Sequence, residues 1–319
     1  MGAQGIEWPL SVLPGDSDQP DRIENERYQD VNKLLSSAGY RARVAQFDYD
    51  PAQLLGSQES GVEYHESISI HDVSYASVAS GRVMAFLVAP AGGSKLAGVL
   101  WVHPARGNRH TFQEEAVRLA GDGAVSLLID APWSSGEAWR RTMGKPEHDR
   151  REYIQTTQNL CRAIDLLMTR PEVDAKRVAY VGHGLGALFG GILSGVERRI
   201  KTSVLMAGIG SFTDVAALSL PQLQGAELEH YGQVLAAIDP LYYVQYAAPA
   251  PLLFQFGLQD RFCPRDRFVK FAAAGSEPKV VKWYNADHDL SAPGACRDRW
   301  EWLRAHLNLV QPGQAQTGA

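Results

Sequence analysis

The chain has 319 residues, 45% of them hydrophobic and 21% charged, a composition that buries a sizeable core and argues for one large domain. A formal charge of −5 offers no basic surface for phosphate backbones, and no stretch holds the roughly 18 apolar residues of a membrane-spanning helix, so neither nucleic acid nor membrane is expected as a partner. Three widely spaced cysteines without a CxxC pair, and a start that mixes acidic residues and prolines where a secretory signal would be basic and then apolar, predict a cytoplasmic protein with reduced thiols.

Residues 1–60 are polar and turn-rich, apart from a helix expected from about Arg22 to Ser37, and read as an N-terminal extension. From residue 61 the text changes. The runs Val62 to Ile70 and Val83 to Val88 alternate in polarity and predict antiparallel strands at a sheet edge. Continuous apolar runs then alternate with amphipathic helices, which is the pattern of a parallel sheet covered on both faces. The expected strands are Val99 to His103, Val125 to Asp130, Val178 to Gly182, Thr202 to Ala207, Pro251 to Gln255 and Lys279 to Tyr284. Two longer segments, 131–150 and 208–248, are candidate lid insertions above a site. A final helix carrying Trp300, Leu303 and Leu307 completes a domain over 61–309, and 310–319 reads as a disordered tail.

Between the run ending at Val181 and the helix that starts near Leu185 lies Gly182-His183-Gly184-Leu185-Gly186. Two devices use such a turn. One is the nucleophile elbow G-x-S-x-G, whose small flanking residues let a strained turn lift a nucleophile above the sheet. The other is the dinucleotide fingerprint G-x-G-x-x-G/A, which Gly182, Gly184 and Ala187 satisfy. The fingerprint needs an acid at the end of the next strand to hold ribose hydroxyls, and that strand runs Val204-Leu205-Met206-Ala207 into Gly208 without one. The elbow needs an acid and then a histidine after later strands. Asp260 follows the strand Pro251 to Gln255, and His288 follows Lys279 to Tyr284. No cofactor is expected.

From about Phe47 to Leu309 the chain resembles the dienelactone-hydrolase-like branch of the α/β hydrolases. The matching pieces are Ala97 to His103, Arg118 to Ala124, Arg170 to Arg177, the glycine turn, and the Asp260 and His288 loops. The resemblance implies an α/β-hydrolase fold, with about eight mostly parallel strands flanked by helices. It implies Asp260 as triad acid, His288 as base, and the backbone N–H groups of Ala105 and Leu185 as an oxyanion hole. Gly184 stands where the family carries serine or cysteine.

The implied activity is hydrolysis of a carboxylic ester, lactone or thioester of a small acyl substrate, with the elbow nucleophile absent. That describes either an inactivated variant of a serine hydrolase or a hydrolase that uses water activated by His288. The alternative is a non-catalytic pseudohydrolase that binds a small molecule, and a homodimer is compatible with either. Arg106, with Arg109, is a candidate for a substrate carboxylate, and Trp133, with Trp139, Arg140 and Arg141, for the pocket wall; solvated surface positions explain these residues equally well. Asp287 is a rival acid, His183 is expected to pack against neighbours, and Cys263 reads as a thiol bordering the site without function. The remaining histidines, His65, His71, His110, His148 and His230, show no metal-ligand spacing, so no metal is expected.

Overall fold

The structure is a computed structural model that describes residues 37–309. The helix expected from Arg22, up to its last residue, and the tail 310–319 lie outside the described residues. A short helix α1 (Ala38–Val44) precedes strands β1 (Gln58–His65), β2 (Ile68–Ala76), β3 (Arg82–Pro90) and β4 (Leu96–Val102). Next come α2 (Gln113–Gly121), β5 (Ala124–Ile129), the single turn α3 (Glu137–Arg140), α4 (Pro146–Thr169) and β6 (Val173–His183). The chain continues through α5 (Leu185–Val196), β7 (Ile200–Met206), α6 (Phe212–Ser219), α7 (Gly225–Leu235) and the single turn α8 (Pro240–Tyr243). It ends in β8 (Leu252–Gly257), α9 (Arg265–Ala274), β9 (Lys279–Tyr284) and α10 (Pro293–Leu307).

The strands form one sheet in the order β1-β2-β3-β5-β4-β6-β7-β8-β9. The pairs from β1 to β5 are antiparallel and all later ones parallel. Every residue of β5 and β8 is buried, which is why these runs are apolar except for Ser126 and Gln255, each of which is hydrogen-bonded. The period of two along β4 sends Gly98 toward Leu167 of α4 and Trp101 to the opposite face against Phe112, ring centroids 5.1 Å apart, so helices cover both sides. On the α2 side, Arg299 of α10 forks onto Glu115 at 2.6 and 2.7 Å, and Trp300 donates to Asp122.

Among the described residues there are nine strands where about eight were expected. The run Val62 to Ile70 turns at Glu66, whose φ of 54° reverses the chain so that His65 pairs with Ile68. The phase of two is the same on both sides of this two-residue hairpin, Val62 and Tyr64 before it and Ile68 and Ile70 after it, so only the polar run His65-Glu66-Ser67 marks the break. The N-terminal boundary also moves. Residue 60 falls inside β1, and before it Tyr40 of α1 donates to the carbonyl of Gly195, while Phe47 packs edge-on against Tyr243 at 5.3 Å.

Strand β4 lies between β5 and β6, so connections leave its neighbourhood in opposite directions and open a crevice at the carboxyl ends of β4 and β6. There the backbones nearly touch. A side chain on Gly182 would collide with the carbonyl of Gly186, and one on Gly186 with the carbonyl of Val102 at the end of β4. Gly184 between them has φ 55° and ψ −111°, a conformation that L side chains adopt only under strain.

His183 locks this turn to the far side of the sheet. Its buried ring donates from Nε2 to the carbonyl of His288 at 2.7 Å. Burial, with the neighbouring His288, pushes its pKa down to about 4, so the ring is neutral in the fold. The unfolded chain, with an ordinary imidazole near 6.5, takes up the proton first as pH falls. This contribution to stability is therefore complete above about pH 6.5 and lost progressively toward pH 4, at a cost of up to roughly 3 kcal/mol. Urea unfolding across that window should show His183→Asn with a shallower fall in stability than the parent. An unchanged pH slope in the variant would contradict the assignment.

Candidate active site

The loop after β8 carries Asp260 into the crevice. Its Oδ1 accepts the backbone N–H groups of Phe262 at 2.8 Å and Cys263 at 3.0 Å, an Asx-type turn that aims Oδ2 outward. Oδ2 receives Nδ1–H of His288 at 2.7 Å, with Asp260 2% and His288 21% exposed. Burial works against the Asp260 charge, but the bond and the charge of His288 and the two backbone donors outweigh it and hold the carboxyl below the usual carboxylate range. A carboxylate facing Nδ1 keeps the proton there and leaves the Nε2 lone pair free. Asp287, the rival acid, accepts the backbone N–H of His288 instead.

His288 Nε2 faces the glycine turn. A Cβ built on Gly184 stands 3.5 Å from Nε2 and 3.2 Å from Pro104 Cβ, so the vacant side-chain position lies between the imidazole and the loop after β4. Leu185 is the first residue of α5, where a helix N–H has no intrahelical acceptor. Ala105 lies opposite, its peptide set by His103. Buried and held neutral by that burial, His103 accepts Ala131 N–H at Nε2 (3.1 Å) and donates from Nδ1 to the carbonyl of Pro104 (2.8 Å). A trans peptide points its N–H away from its carbonyl, so anchoring Pro104 O turns the Ala105 N–H the other way. Ala105, Gly184, Leu185 and His288 all line one cavity of about 550 Å³.

Both long segments contribute walls to this cavity: Trp139, Arg140 and Met143 from 131–150, and Val215, Leu218 and Leu220 from 208–248. Arg106 lines it, its guanidinium 5.9 Å from the Phe262 ring centre. Trp133 is not at the wall. It is 1% exposed, stacks on Phe189 at 5.2 Å and donates to the carbonyl of His103, so it supports the loop from behind. Arg109 is likewise diverted, forking onto Asp72 at 2.9 and 3.1 Å. Arg141 is exposed and faces Glu137. At the end of β7, Ala207 and Ile209 line the cavity where a dinucleotide site would hold its acid.

Phe262 and Met143 lie in loops, where apolar residues carry no periodic signal, and Leu218 is an exposed residue in the last turn of α6. Cys263 does reach the cavity, and burial with the Asp260 charge pushes its thiol up to about 12. Asp260, Cys263 and His288 bring one candidate ligand atom each to within 4.8 Å of one another. Comparing histidine with histidine along the chain misses this trio, because its members come from two loops.

The sequence profile of the Dienelactone hydrolase family matches residues 83–296. Over 287 residues the chain is 27% identical to the uncharacterized peptidase YuxL of Bacillus subtilis (strain 168), covering 80% of this chain and 42% of that protein. The chain thus spans about two-fifths of the length of this curated relative. Among solved structures, the acetyl xylan esterase from Paenibacillus sp. R4 superposes with a TM-score of 0.69 at 20% identity, over 94% of this chain and 100% of that one. Acetyl xylan esterase 1 from Thermoanaerobacterium sp. JW/SL YS485 gives 0.68 at 14% identity, over 86% and 98%. The glucuronoyl esterase from Solibacter usitatus gives 0.63 at 14%, over 86% and 93%. At these identities the superpositions establish the α/β-hydrolase fold, and no helix among the described residues is long and apolar enough to cross a membrane. With the profile spanning the sheet from β3 to the start of α10, the chain belongs to the dienelactone hydrolase family.

Proposed function

We propose that the chain hydrolyses a carboxylic ester, lactone or thioester of a small acyl substrate by direct attack of water. The observation that carries this reading is the 3.5 Å between a Cβ position on Gly184 and His288 Nε2. In this reading the turn is a nucleophile elbow stripped of its side chain, and the volume released beside a base fits a water molecule. Asp260 and His288 act as acid and base, and Ala105 and Leu185 supply the oxyanion donors.

Nε2 takes a proton as the water oxygen attacks the carbonyl carbon. The oxyanion forms between the two backbone N–H groups, which need no reorganisation to receive it. His288 then returns the proton to the departing alkoxide or thiolate, and the acid product leaves. No acyl-enzyme forms. Proximity and charge stabilisation remain available, whereas the covalent route does not. The two insertions act as a partial lid whose apolar walls surround the acyl chain, with Arg106 at the oxyanion loop.

The missing side chain at Gly184 also favours a second reading, a pseudohydrolase that binds the same small molecules without turning them over. Activated short-chain esters distinguish the two. The parent should hydrolyse them slowly without labelling by a serine-directed fluorophosphonate, and His288→Ala should remove that activity. Turnover equal to the His288→Ala background would leave only ligand binding.

Gly184→Ser should acquire fluorophosphonate labelling at residue 184 and gain about 10³- to 10⁶-fold in ester hydrolysis. The strained backbone and the contact with Pro104 predict a simultaneous loss of about 1–3 kcal/mol in stability, read by denaturant unfolding. A folded serine variant that neither labels nor gains activity contradicts the elbow assignment.

A further inference from the structure

We propose that Asp260, Cys263 and His288 form a binding site for a thiophilic divalent cation of the zinc class, and that filling it switches off the base at His288. The switching clause rests on the hydrolytic reading above; the site itself does not.

The donor set is oxygen, sulfur and nitrogen, with all three candidate ligand atoms within 4.8 Å of one another. Three protein ligands with the fourth position open is a common arrangement for zinc, and a thiolate beside an imidazole selects zinc over hard cations such as magnesium. The carboxylate and the thiol come from one turn, pinned by the Phe262 and Cys263 N–H groups on Asp260 Oδ1. The imidazole is presented by the neighbouring loop, whose backbone His183 holds. Zinc bonds of about 2.0–2.3 Å put neighbouring ligands roughly 3.3–3.6 Å apart. The 2.7 Å Asp260–His288 hydrogen bond therefore opens by less than about 1 Å while the thiol closes in.

The protons and charges balance. Cys263 loses its thiol proton to solvent and binds as thiolate. The proton on His288 Nδ1 moves through solvent to Nε2, and Nδ1 takes the metal while the ring stays neutral. One carboxylate and one thiolate neutralise the dication. The lone pair that faced Gly184 is then occupied by a proton, so Nε2 no longer accepts one from water. The other two cysteines stand apart: Cys161 is buried, and Cys296 accepts from Arg299 at 3.1 Å.

The test uses Co²⁺ and Zn²⁺ on the full chain after dialysis against a chelator. Co²⁺ should bind at one equivalent, with a thiolate-to-cobalt band in the near ultraviolet and the intense visible bands of a four-coordinate site, all displaced by Zn²⁺. Cys263→Ser, with an unchanged thermal midpoint in the absence of metal, should lose the thiolate band and bind Zn²⁺ about a hundredfold more weakly, while Cys296→Ser keeps both. Nitrogen NMR of His288 should show the proton moving from Nδ1 to Nε2 as Zn²⁺ is added. A parent without the thiolate band, a band that survives in Cys263→Ser, or an Nδ1 proton that persists at one equivalent of Zn²⁺ overturns the site. None of these readouts requires turnover, so a metal-binding protein without esterase activity would remove the hydrolytic reading and leave the site standing. Where hydrolysis is present, Zn²⁺ should abolish it stoichiometrically in the parent and spare Cys263→Ser; activity undiminished in the zinc-loaded parent overturns the switch.

Discussion

A helix can begin directly at the end of a buried strand only if the backbones around the joint pass one another without side chains between them. At the β6–α5 joint, Gly182 clears the carbonyl of Gly186, and Gly186 clears the carbonyl of Val102 in β4. Any Cβ at either position would push β6 away from β4 or the helix away from the sheet. Their contact sets the crevice at the carboxyl ends of the central strands, and the Pro104 and His288 loops meet over Gly184 because that crevice is narrow. The cavity, His288 and the Ala105 and Leu185 backbones all inherit their positions from this close approach.

Three histidines converge on the crevice, and their surroundings give them different duties. His103 and His183 lie in apolar surroundings, where burial favours the neutral ring, and each spends an N–H on a carbonyl that shapes a loop. His288 alone meets a carboxylate. A carboxylate at Nδ1 stabilises the positive ring that forms when Nε2 accepts a proton, whereas a carbonyl in an apolar pocket stabilises it far less. One residue type thus supplies two braces and, in the proposed mechanism, one base, and the difference is electrostatic.

Residues that support the site resemble residues that contact a ligand when only their chemistry is considered. Trp133 and Trp139 both fall in the segment after β5, yet one stacks under the His103 loop and the other faces the cavity. Arg106 and Arg109 are three positions apart. Arg109 is captured by Asp72 from β2, a strand more than thirty positions earlier in the chain, while Arg106 remains at the cavity. Long-range partners decide these assignments, and local spacing does not report them. The same holds for Cys263, which shares a turn with Asp260 but meets His288 only through the pairing of β8 with β9.

The sequence by itself determined the alternation of strands and helices, the glycine turn, and the order of Asp260 and His288 at strand ends, because hydrophobic period and turn chemistry are local properties. It also determined that Gly184 brings no nucleophile of its own. Tertiary structure decided that β1 and β2 are separate strands, since the reversal at Glu66 leaves the apolar phase of two unchanged on either side and is marked only by the three polar residues His65 to Ser67. It decided as well that Asp260, and not Asp287, meets Nδ1, and that the empty position on Gly184 faces Nε2. Those outcomes depend on distances between loops far apart in the chain, which are set by how the parallel strands register against one another.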